Sequence, residues 1–123
     1  MHYGGWVDFS DHSQKHVTKE EIDTQGKKCI FRQGRYYVIT GGELHPCTRS
    51  AWRMLWGIIP HLGTQKIDLL NDAIDIKNAK EILLNLDNSV SLLSCSYCNG
   101  VHQNSPRITP AQQLHSSGQP KLF

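Results

Sequence analysis

No stretch of the chain approaches the ~20 consecutive apolar residues that a membrane-spanning helix needs, and no apolar core follows Met1 as it would in a secretory leader. A cytoplasmic protein without a membrane partner is therefore expected. Charge of one sign is missing too: the formal net charge is only +2, spread over both signs, so no nucleic-acid partner is expected. There is no P-loop, no GxGxxG, no HExxH and no Ser/His/Asp order, which removes the common nucleotide-binding, metalloprotease and hydrolase machinery. Internal repeats are absent. Aromatic residues make up only 8% of the chain, and core burial alone gives a marginal domain.

What remains is one domain's length, 123 residues, divided by composition into three parts. Residues 1–28 form a polar lead-in, where the Thr18 and Glu21 capping-box spacing allows a short helical turn and Trp6, Val7 and Phe9 must cover something or be covered. Residues 29–98 carry the regular structure. Residues 99–123 form an irregular tail with a turn expected over 110–114.

Within the middle part, Ile30, Phe31 and Tyr36 to Thr40 are β-branched or aromatic, and Gly41-Gly42 follows them. That pair is a hairpin signal, because both glycines adopt positive φ readily, and Glu43-Leu44-His45 forms the return. After Cys47 the period becomes helical. Trp52, Leu55, Trp56 and Ile59 make one apolar stripe, with Ser50 as N-cap and Pro60 as stop, and the stripe is expected to pack under the hairpin. A second stripe at Ala79, Ile82, Leu83 and Leu86 starts from Asp75 or Asn78, and the loop between holds a weak strand near Ile67. The expected class is α+β: a small hairpin followed by two or so helices.

The four cysteines, Cys29, Cys47, Cys95 and Cys98, carry the chemical information. Cys95-Ser96-Tyr97-Cys98 is a CxxC, a spacing that lets one tight turn aim two sulfurs at one centre. A hairpin brings its two ends together, so Cys29 and Cys47 become neighbours despite their separation. Four thiolates suit zinc or an iron–sulfur cluster equally well. Between Lys27 and Arg53, six cations (Lys27, Lys28, Arg32, Arg35, Arg49, Arg53) face the single acid Glu43, a balance that favours thiolates. Buried free thiols, disulfides and a thioredoxin-like CxxC are the competing readings. The last lacks its βαβ context, and no secretory leader favours the second. His45 and His102 are near enough in sequence to replace one thiolate in a zinc site; His2, His12, His16, His61 and His115 have no ligand spacing and are expected to be solvated, as are Asp68, Asp72, Asp75 and Glu81.

Cys29, twelve residues, Gly42, four residues and Cys47 read as C-x(9–15)-G-x(4)-C, which resembles the opening signature of the SPASM and twitch auxiliary-cluster domains of radical SAM enzymes. The resemblance spans residues 29–98, with GGELHPC its most specific phrase and Cys95 and Cys98 in the closing position. It implies a 4Fe-4S cluster ligated by Cys29, Cys47, Cys95 and Cys98, with an electron-transfer or structural role. The further cysteines of a full SPASM pattern are absent after Cys98, and so is the CxxxCxxC that holds the SAM-cleaving cluster. The chain is thus expected not to be catalytic alone but to act as the C-terminal accessory part of a radical SAM enzyme, with the catalytic core in cis or in trans and Trp6 and Phe9 packed against it. The parent enzyme's peptide or small-molecule substrate is not specified by these residues. The alternative is a small zinc-stabilised binding module with the same four ligands.

Overall fold

A computed structural model describes residues 5–71 and 73–111. The class is α+β: helices and two small antiparallel sheets follow one another along the chain. No helix among the described residues is long and apolar enough to cross a membrane.

The lead-in is more ordered than its polarity suggests. A strand, β1 (Trp6–Val7), is followed by a helix, α1 (Lys19–Lys28), whose start is a complete capping box. The Glu21 N–H donates to the Thr18 hydroxyl at 3.2 Å, and the Glu21 carboxylate accepts from the backbone of Thr18 at 3.4 Å. Acidic residues in its first turn and Lys27 and Lys28 in its last match the helix dipole, which extends the expected single turn to ten residues. Cys29 takes an extended conformation and separates α1 from a one-turn helix, α2 (Ile30–Gln33). Ile30 and Phe31, expected in a strand, are helical here.

The hairpin is present as β2 (Val38–Thr40) and β3 (Glu43–His45), with Gly41 and Gly42 at φ 57° and 77° forming the turn. The weak strand near Ile67 also forms: β4 (Ile67–Asp68) adds to β3 through Leu44 opposite Ile67. The final helix, α4 (Ile76–Asn88), starts from Asp75 rather than Asn78, with the Asp75 carboxylate accepting from the Lys77 N–H at 3.0 Å. A 3-10 turn, Leu93–Tyr97, carries the CxxC, and β5 (Arg107–Ile108) returns to pair with β1. The turn expected over 110–114 extends beyond the described residues.

The largest departure concerns the helix after the hairpin, α3 (Thr48–Leu55). Of its stripe, Trp52, Leu55 and Trp56 are 45%, 65% and 60% exposed, the first two only edging the hairpin, while Ile59, beyond the helix, is buried. Cys47, Ala51 and Met54 fall at i, i+4 and i+7, so turning Cys47 inward turns Ala51 and Met54 with it and rotates the tryptophans out. Ser50 is a fully buried helical residue, not the N-cap. Nor does α3 run to Pro60. Gly57, at φ 74°, ends it in a Schellman motif: Ile58 N–H donates to Arg53 O at 2.8 Å and Gly57 N–H to Met54 O at 3.1 Å.

The core is small. Leu86, Leu92 and Cys95 form its centre, with Ile22, Ile82 and Cys47 packed against it. Helix α1 reaches it through a close approach at Gly26, where an added Cβ would strike the Val90 carbonyl oxygen and lie 2.9 Å from Ser91 Cβ. Gly26→Ala should therefore destabilise the fold by about 1–3 kcal/mol, although helix propensity alone favours alanine by about 1 kcal/mol. Chemical denaturation of the two proteins gives the sign.

Candidate four-cysteine site

The four thiols arrive on three structural devices. Cys29 is the joint between α1 and α2; Cys47 ends the hairpin and begins α3; Cys95 lies within the 3-10 turn and Cys98 closes it. Long-range hydrogen bonds lock these devices together. Ile30 N–H donates to Val101 O at 3.0 Å, joining the Cys29 joint to the chain beyond the CxxC. Gln25, buried on α1, donates to Cys98 O at 3.2 Å. From α3, Arg53 Nη1 donates to the Ser94 hydroxyl at 2.6 Å and to its carbonyl at 3.3 Å.

All four cysteines line one narrow cavity, together with the apolar side chains of Phe31, Leu92 and Val101. The convergence expected from the hairpin occurs, although by a different route: Cys29 is placed by the α1–α2 joint and not by the end of a strand. His45 and His102 do not line it. His45 is buried instead between the hairpin and α3, with Nε2 3.1 Å from a Glu43 carboxylate oxygen. Burial, then the nearby His61 charge, holds the His45 pKa below the ordinary value, so its contact with Glu43 is a hydrogen bond from a neutral ring at neutral pH. His102 accepts from the Asn104 N–H at 3.2 Å.

The electrostatics are unusual for so small a core. Burial pushes the Cys95 thiol up to about 12; the Leu92 N–H opposes this, and the other three thiols add to it. Two sulfurs receive backbone donors, Cys95 from Leu92 N–H at 3.3 Å and Cys98 from Gly100 N–H at 3.2 Å, and such N–H···S contacts favour the thiolate. Gly100 makes its contact from φ 67°, and a Cβ there would collide with the Gln25 amide. Arg32 and Arg49 line the cavity, and among the described residues no carboxylate does. Arg32 is 7% exposed; its Nη2 donates to Leu86 O at 2.8 Å and Ser89 O at 2.6 Å, while Nε and Nη1 are buried without partners. A buried cation with only neutral acceptors costs several kcal/mol unless an anion faces it, and the thiols across the cavity are the groups able to supply one.

Among the described residues, no three His, Cys, Asp or Glu side chains are close enough to grip a single metal ion. A tetrahedral zinc with sulfurs at 2.3 Å needs them about 3.8 Å apart. The donor set, cations and N–H···S contacts fit an anionic cluster of several metals; a cubane also requires the apolar wall to move outward from a cavity of ≈ 20 Å³.

Three participants were not legible as such. Arg53, in the sequence one of six cations near the cysteines, is 2% exposed and pins α3 to the CxxC turn; Gln25 and Gly100 carry no motif. Compared with known proteins, the chain matches no family model, no curated protein and no solved structure.

Cys29 and Cys47 are partly exposed, whereas Cys95 and Cys98 are buried. In metal-free protein, iodoacetamide should label the first pair before the second, as followed by intact-mass and peptide analysis. Because only the thiolate reacts, the Cys95 rate should keep rising with pH toward its pKa of about 12. Equal labelling of all four thiols under native conditions would contradict the arrangement.

Proposed function

We propose that Cys29, Cys47, Cys95 and Cys98 hold a 4Fe-4S cluster, and that the chain is an auxiliary electron-transfer or structural module of the twitch type. It works with a radical SAM catalytic core, in cis or in trans, and is not catalytic by itself. A single observation carries the reading: four thiols and two guanidinium groups border one cavity with no carboxylate among them. Cysteine thiolates in such a shell are the standard protein ligands of iron–sulfur clusters, and nearby cations and hydrogen bonds to sulfur set the potential. When bound, the cluster supplies one-electron storage. The chain's own residues supply the ligands, the Leu92 and Gly100 donors and the Arg32 and Arg49 charges. A reducing, cytoplasmic setting belongs to the proposal, because it keeps thiols free for metal.

Anaerobic reconstitution of the full chain with ferrous iron and sulfide tests the assignment. About four irons and four sulfides per chain, with broad visible absorption, are expected for a cubane. Cys95→Ser and Cys98→Ser should lose both the colour and the gain in thermal stability that accompanies loading, since metal binding and folding are linked. One tight, colourless zinc per chain that iron and sulfide do not displace would instead make this a zinc-stabilised module. Stoichiometric co-purification with a CxxxCxxC-bearing barrel tests the partner.

A further inference from the structure

On the outer side of α3 lies a second concavity, of ≈ 290 Å³, enclosed by Phe9, His12, Arg49, Trp52, Arg53 and Trp56. It stands apart from the metal reading except for Arg49, which borders both spaces. Its floor and walls combine two features rarely left facing water. The first is aromatic surface. Trp52 and Trp56, one turn apart, have ring centroids 5.5 Å apart at an interplanar angle of 39°, and His12 meets Trp56 edge-on at 5.8 Å. Both tryptophans are about half exposed because the phase of α3 turns them out, so they contribute little to the core.

The second is unmatched positive charge. Arg53 is 2% exposed, has only the neutral oxygens of Ser94 as acceptors, and leaves Nε buried without a partner. Arg49 makes no hydrogen bond or ion pair with any described residue. Its guanidinium lies 3.9 Å from the Phe9 ring centroid and 5.1 Å from that of Phe31, and its Nε is likewise buried and unpartnered. His12 Nδ1 is a third buried polar atom without a partner. Buried polar atoms in folded proteins are nearly always satisfied, so three on the walls of one cleft call for an explanation. Among the described residues no carboxylate lines the cleft; the neighbouring Asp8 and Asp11 turn to Ser10 and Ser13.

We propose that this cleft binds a small planar ring carrying one anionic group, stacked on the Trp52–Trp56 pair with its charge facing Arg49 and Arg53. The volume sits at the lower end for ligand pockets, about 300 Å³, which suits one ring system and excludes a dinucleotide. A phosphate and a carboxylate offer the same charge, so nucleoside monophosphates and aromatic carboxylates are the two sources to separate.

The protein reports on its own site, since Trp6 is the only other tryptophan. In a Trp6→Phe background, fluorescence is titrated with adenosine 5′-monophosphate and with benzoate, each against its neutral counterpart, adenosine and benzamide. At least one anion should quench saturably and bind about tenfold or more tightly than its neutral partner, the size expected for a charged hydrogen bond. Whichever anion does so identifies the source. Trp56→Ala, whose side chain is 60% exposed and so should leave the fold intact, should weaken binding of that ligand about tenfold when followed by NMR, on the scale of stacking on an aromatic ring. Arg49→Met should do the same. The proposal is overturned if neither anion saturates, if the neutral compounds bind as tightly, or if Trp56→Ala changes nothing. Loss of barrel co-purification in Trp52→Ala and Trp56→Ala, with no binding of either anion, would make the cleft a protein-docking face instead.

Discussion

Burying a guanidinium group without a carboxylate is costly, and this fold does it at least twice, at Arg32 and Arg53. Arg53 ties the helix after the hairpin to the turn that carries Cys95 and Cys98, and Arg32 ties the second helical turn to the end of α4. The same two ties hold the thiols in one neighbourhood. The arginine ties and the thiol-bearing turns therefore form one structural unit, with Arg32 bordering the cysteine cavity itself. A core of so few aliphatic residues gives this unit unusual weight, since hydrophobic burial supplies little else to define the arrangement.

Much of the local structure could be read directly from residue types. Gly41-Gly42 announced a turn with two positive φ values, Asp75 a helix start, and Thr18 with Glu21 a capping box, because each of these signals acts through neighbours in sequence. The one-turn helix at Ile30–Gln33 was not legible. Its residues favour strands, and what decides its state is the N–H of Ile30 meeting the carbonyl of Val101, a partner far along the chain. Nor was the phase of α3. Trp52, Leu55 and Trp56 are a bulkier apolar stripe than Ala51 and Met54. The helix nonetheless turns its less bulky face inward, because that face carries on from Cys47.

For the site itself, the CxxC showed why Cys95 and Cys98 lie together, whereas Cys29 reaches the cavity through the α1–α2 joint and not the hairpin, and the surrounding shell carried no signal. Gly100 is one glycine among ten, and only its φ of 67° and its N–H toward Cys98 set it apart. Gln25 looks like an ordinary polar position on a charged helix. His45, two residues before a cysteine, looked more like a ligand than either of them, yet it is sealed against Glu43 on the far side of the hairpin. Strand alternation would put residues two apart on one face, but β3 ends at His45 and Cys47 already begins α3, so the shared face is not carried across.

Trp6 pairs with Ile108, so the smaller of the two sheets among the described residues closes a loop that spans nearly all of them. A two-residue ladder gains little, and closing so long a loop takes much chain entropy, which places this clasp at the low-stability end of the molecule and late in its assembly. Phe9 follows two residues behind β1 and carries the Arg49 guanidinium on its ring. Each unfastening of the clasp thus loosens one wall of the tryptophan cleft while the cysteine cavity, held from the other side by α1 and the CxxC turn, keeps its shape.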